Sequence, residues 1–207
     1  MTVKKFRTTS SVLSTVIFML AVFIVILSGS RVVYALNHSG YITSSETWSA
    51  SDSPHIVTGS IDVHNSATLT IEKGCVVKFD PGNAIHIGYF SNGALNATGT
   101  SDNPIIFTSN AASPAPGNWA GIIFYASTDD ALTIMDHCTV EYGGFGMFNS
   151  NIYCSIASPT IQNCTIQYSD GYGIYCNDDS APTLTNNTIN KNGSFAISEF
   201  CDMLDSN

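Results

Sequence analysis

The sequence predicts an all-β chain wound as a parallel β-helix, and three observations predict it. Residues 157–168 (ASPTIQNCTIQY) recur 23 positions later as residues 180–191 (SAPTLTNNTINK), with Pro159 over Pro182, Ile161 over Leu184, Asn163 over Asn186 and Ile166 over Ile189. A fixed period in the twenties with constant phase marks a solenoid. Inside each repeat apolar and polar residues alternate, which is strand spacing. The apolar runs are too short for helices, and Asn, Gly, Asp and Ser fill the gaps between them. Each coil therefore holds two or three short strands, and stacking the coils sets equivalent strands side by side, in parallel, about 4.8 Å apart.

The repeat extends backward. Residues 135–142 (MDHCTVEY) align with residues 161–168 (IQNCTIQY) at a spacing of 26, and Ile152-Tyr153-Cys154 aligns with Ile174-Tyr175-Cys176 at a spacing of 22. Turns of different length on a constant core give about six coils of 22–26 residues.

In chain order, residues 1–35 are expected to be a targeting segment. Lys4, Lys5 and Arg7 precede an apolar run over residues 12–27, and Val33-Tyr34-Ala35 offers a small-residue cleavage site before Leu36. The alternative is an uncleaved N-terminal anchor, through which alone the protein would meet a membrane. Either way the remainder is secreted or displayed at the cell surface. Residues 36–55, polar and rich in Ser and Thr around Trp48, are expected to lead into the first coil and cover its open end. The solenoid then occupies residues 56–207. Its early strands fall at 56–57, 61–63, 69–71, 76–79, 85–87, 95–97 and 105–107, separated by turns at Lys73-Gly74, Asp80-Pro81-Gly82-Asn83, Ser91-Asn92-Gly93 and Ser101-Asp102-Asn103-Pro104. Gly and Asn tolerate positive φ there and Pro fixes the bend. Two longer excursions, residues 110–118 and 142–151, are expected on one flank, where solenoids commonly build a binding face. The stretch 195–207 begins another coil without completing it, so the chain is expected to be part of a longer protein with further domains.

The segments SATLTIEKGCVVKFDPGNAIHIG, GALNATGTSDNPIIFTS and PGNWAGIIF, followed by SPTIQNCTI and GIYCNDDSAPTLTNNTI, resemble bacterial and archaeal exported proteins of the pectate-lyase-like superfamily. The resemblance covers about residues 54–200. It implies a right-handed helix, in line with the general preference of parallel crossovers. It is specific for fold and weak for function, because the superfamily holds lyases, hydrolases, adhesins and chains of no known activity.

Charge narrows the partners. Residues 36–207 keep three lysines and no arginine against all sixteen acids, a net of −13. Such a body repels nucleic acid and anionic lipid, and polyuronates unless a cation bridges. All six cysteines lie in the exported part. Cys138 over Cys164 and Cys154 over Cys176 point inward and are expected to pack as buried free thiols rather than disulfides.

Catalysis finds little support. The resemblance to lyases implies a basic residue that removes a proton, yet no arginine follows residue 31 and Lys191 is the one base near the late coils. A glycoside hydrolase needs convergent carboxylates. Asp178-Asp179 faintly resembles the paired acids of polygalacturonases, but the Asn-Thr-Asp, Gly-His-Gly and Arg-x-Lys elements that accompany them are missing. Asp170, Asp178 and Asp179 all fall in turns, where Asp caps the chain. If they do more, Ca²⁺ binding suits them better than acid–base work; otherwise no cofactor and no metal is expected. The remaining candidates face outward. Tyr153 and Tyr175 should stack into a platform for a sugar ring, with ordinary cross-strand stacking as the plain alternative. Thr139, Thr165 and Thr188 should form an outward ladder of the kind that binds ice or crystals on some solenoids, or that merely reflects the β propensity of Thr.

The function these residues favour is an exported, non-catalytic spacer or adhesive, with a polysaccharide or cell-surface glycan as partner. The alternatives are a fragment of a carbohydrate-active enzyme, a polysaccharide hydrolase or lyase, and an ice- or crystal-binding face.

Overall fold

The computed structural model describes residues 35–177 and 179–199. They form a right-handed parallel β-helix with three faces. Face 1 carries the first halves of β1 (Leu36–Ile42) and β3 (His55–Val63), then β5 (Val76–Phe79), β8 (Ile105–Ser109), β11 (Cys138–Glu141), β14 (Thr165–Gln167) and β17 (Thr188–Asn190). Face 2 carries the second halves of β1 and β3, then β6 (Ala84–Ile87), β9 (Gly121–Phe124), β12 (Ser150–Ser155), β15 (Tyr172–Asn177) and β18 (Ile197–Glu199). Face 3 carries β2 (Glu46–Trp48), β4 (Ala67–Ile71), β7 (Gly93–Thr98), β10 (Ile134–Asp136), β13 (Thr160–Gln162) and β16 (Thr183–Thr185). Of residues 36–55, expected as a lead-in, 36–48 already run as the first coil, with Trp48 buried. Residues 1–34 of the expected leader, 1–35, lie outside the described residues, as do Asp178 and Cys201.

The core is a set of side-chain columns, one residue per coil. On face 2, Ile61, Ile85, Ile122, Ile152, Ile174 and Ile197 stack in register. On face 1, Val77, Phe107, Val140, Ile166 and Ile189 do the same. On face 3 the column is Ile71, Ala97, Met135, Ile161 and Leu184. A one-residue slip would turn every member outward, so burial of these columns fixes the register. The spacing is 26 residues from Val140 to Ile166 and 23 from Ile166 to Ile189, but 37 from Ile85 to Ile122. The extra residues leave the stack at corners and do not disturb the columns.

The corners explain the Asn-rich repeat. His137, Asn163 and Asn186 join face 3 to face 1 with φ of 48°, 53° and 54°, and Tyr142, Tyr168 and Lys191 leave face 1 with φ of 66°, 55° and 55°. One left-handed residue bends the chain between strands, and Asn tolerates that conformation better than most residues. At the same corner, side chains of the next coil accept backbone donors: the Cys164 N–H donates to Asn187 Oδ1 at 2.9 Å, and the Cys138 N–H to Cys164 Sγ at 3.4 Å. Cys75, Cys138, Cys154, Cys164 and Cys176 are buried free thiols, as expected. Hydrogen bonding to Cys176 and burial both push the Cys154 thiol well up, so it stays protonated and inert.

Candidate functional site

The site is built on the outward side of face 2. Between the inward isoleucines, the strands present one outward residue per coil: Tyr41, Asp62, His86, Ile123, Tyr153 and Tyr175, in register. Tyr153 and Tyr175 stack with ring centroids 5.3 Å apart and planes 10° from parallel. That pair was legible in the repeat. The structure adds rings from the corners. Phe148 meets Tyr153 edge-on at 5.2 Å and comes within 6.1 Å of His86. Tyr125 lies 5.7 Å from His86 and 4.8 Å from Tyr89. Phe90 contacts Tyr89 at 4.7 Å and Tyr41 at 5.7 Å. At the other end Tyr172 packs on Tyr175 at 5.2 Å. The result is an unbroken row of rings from the first coil to the sixth, five strand spacings or about 24 Å long. A second apolar cluster, Ala84, Ala120 and Ile123, is buried beneath it, with Tyr125, Phe148 and Tyr153 packed on top.

Loops hold this row in place. Residues 142–151 fold over the corner of faces 1 and 2, and their 3-10 turn Gly146–Phe148 delivers Phe148. Asn151 anchors the loop from inside: its Oδ1 accepts from the Gly143 N–H at 2.8 Å, and its Nδ2 donates to the Gln167 carbonyl at 2.8 Å. The excursion 110–118 packs on this loop through Gly117 N–H to Gly143 O at 2.9 Å and Asn118 N–H to Tyr142 O at 3.0 Å. The two excursions therefore share a flank. On the opposite corner, residues 88–92 carry Tyr89 and Phe90 and lie against residues 125–133, with Gly93 N–H donating to Ser127 O at 3.2 Å. A cavity of about 190 Å³ at this corner is lined by Ser66, Asn92, Asp129 and Leu132 among others. It is smaller than ordinary ligand pockets, so the extended row is the better candidate surface.

Polar groups gather within the row at one place. Asp62 sits beside His86 in register, and His86 Nδ1 lies 3.1 Å from the Tyr125 hydroxyl, the tautomer deciding which donates. Burial lowers the His86 pKa, against the Asp62 carboxylate that raises it. Burial, with Tyr89 and Asp62 nearby, pushes the Tyr125 phenol up to about 12.

Residues 40–151 match the sequence model of the pectate-lyase-like beta-helix domain, more than half of the chain. The chain belongs to this family. No curated protein and no solved structure matches it. In this pectate-lyase-like domain, the other residues singled out from the sequence fall elsewhere. Thr139, Thr165 and Thr188 do stack in register on face 1, but the column continues as Ile106 and Val76, so the Thr row is three coils long. Asp170 precedes β15 and Asp179 follows it, both exposed. The six-residue strand between them spans about 20 Å, which keeps Asp170 and Asp179 from sharing one ion. Among the described residues, no three His, Cys, Asp or Glu side chains are grouped to hold a metal.

Proposed function

We propose that this domain binds a glycan along the aromatic row of face 2 and serves, outside the cytoplasm, as a stiff adhesive or spacer segment without catalysis. The observation that carries the reading is the unbroken run of ring contacts from Tyr41 to Tyr175. A sugar ring has an apolar C–H face and a polar hydroxyl edge. Tyrosines, exposed at Tyr41 and Tyr89 and half-buried at Tyr125, Tyr153 and Tyr175, suit it, since each offers a flat apolar body with a polar tip at little entropic cost. A rigid solenoid fixes the ring spacing before the ligand arrives, which lowers the cost of binding. The leader-like start and the acidic, arginine-free body support export.

A glycan array probed with the full chain and with the Tyr153→Ala/Tyr175→Ala double variant tests the reading. Binding by the parent, weakened about tenfold or more in the variant, is the expected result. Equal binding by both chains, or degradation of a bound glycan, would overturn it.

A further inference from the structure

The polar cluster within the row bears on which glycans fit. This inference rests on the reading of face 2 as a glycan surface and deepens it. Asp62 is the carboxylate of the outward column, one strand from His86, which is in turn bonded to Tyr125. The three described lysines all lie off this face. Lys73 is in the turn after β4, Lys78 is on β5, and Lys191 follows β17, where its Nζ donates to the Tyr168 hydroxyl at 3.0 Å. Burial keeps the His86 imidazole uncharged at neutral pH, and the Tyr125 phenol stays protonated. Asp62 therefore sets the charge at the middle of the row. The same three groups supply an acceptor-only carboxylate and two groups able to donate or accept, spaced among rings that would hold a sugar flat.

We propose that Asp62, His86 and Tyr125 make face 2 selective for uncharged glycan chains. Their polar atoms hydrogen-bond sugar hydroxyls, and the Asp62 carboxylate turns away uronates. A carboxylate held beside a second one in a partly desolvated site costs binding, and among the described residues no lysine or arginine on this face compensates. A hydroxyl pair on a neutral sugar instead donates to Asp62 in charge-assisted bonds. This pectate-lyase-like domain is thereby expected to reject a pectate-type chain.

The test measures binding of the full chain to gluco-, manno- and xylo-oligosaccharides and to an oligogalacturonate of equal length, at low and high salt and with and without Ca²⁺. Binding of at least one neutral oligosaccharide about tenfold or more tighter than the uronate at low salt is expected. Asp62→Asn should weaken neutral binding about tenfold while leaving the far-ultraviolet circular dichroism and melting temperature unchanged. Asp62→Lys should raise uronate binding. Tyr125→Phe gives an independent second loss. Uronate binding equal to or tighter than neutral binding in the parent would overturn the selectivity and leave the glycan surface standing. Neutral binding indifferent to Asp62→Asn and Tyr125→Phe would overturn the role of these residues. Loss of all binding in no variant, because the parent binds nothing, would overturn both this inference and the reading beneath it.

Discussion

At the scale of residues, the inside of the coil is decided by a few side chains that do more than fill space. Trp119 is fully buried, stacks on Phe79 at 3.9 Å, and donates from Nε1 to the Glu141 carbonyl at 2.8 Å. Trp119→Ala should lower unfolding stability by about 3–5 kcal/mol in denaturant titration, through the cavity and the orphaned carbonyl. His38 gives a pH signature. It stacks on Trp48 at 4.0 Å and bonds His55 at 2.9 Å. Burial first, then the neighbouring His55, lowers its pKa to about 4 against the pull of Glu46. The folded value lies below the unfolded one, so the fold favours the neutral ring. Its contribution is intact above about pH 6.5 and is lost as pH falls toward 4. Hydrogen exchange should show the first coil loosening across that window, and His38→Gln should flatten the change. The His38–His55 contact was not legible in the sequence, because only the pairing of β1 with β3 brings the two together.

At the scale of elements, the late coils were legible because their turns are short and their period nearly constant. Strands β11 to β17 follow the repeat residue for residue. The early corners were harder. Tyr89, Phe90, Tyr125 and Phe148 lie in stretches where spacing grows to 30 residues and beyond, and a repeat comparison has no phase to offer inside a loop. The one available signal was parity: the outward column of Tyr153 and Tyr175 can be followed back to Ile123, His86 and Asp62 once the face is known. Gly93 marks a place where neighbouring coils approach closely. A Cβ there would lie 2.2 Å from the Val63 carbonyl oxygen. Gly93→Ala should therefore displace the start of β7 and lower the melting temperature by several degrees, on the order of 1–3 kcal/mol. The Thr ladder of face 1 makes the opposite prediction. Thr165→Val should change stability by no more than about 0.5 kcal/mol and leave glycan binding untouched, since Thr there serves a solvated strand.

At the scale of the whole molecule, three faces wind around one continuous core, and the faces differ in what they show outside. Face 1 presents Thr in its late coils and Ile106 and Val76 in its early ones, beside polar side chains. Face 2 presents rings over a second apolar cluster, flanked by both pairs of loops. The solenoid supplies stiffness and spacing; the excursions supply most of the rings. The most direct test is to map a bound neutral oligosaccharide on the full chain by chemical-shift perturbation or co-crystallisation. Contacts are expected to be confined to face 2, running over Tyr153 and Tyr175 through His86 and Asp62 toward Tyr89. A ligand seated on the Thr row of face 1, or on the Asp170 and Asp179 turns, would contradict it.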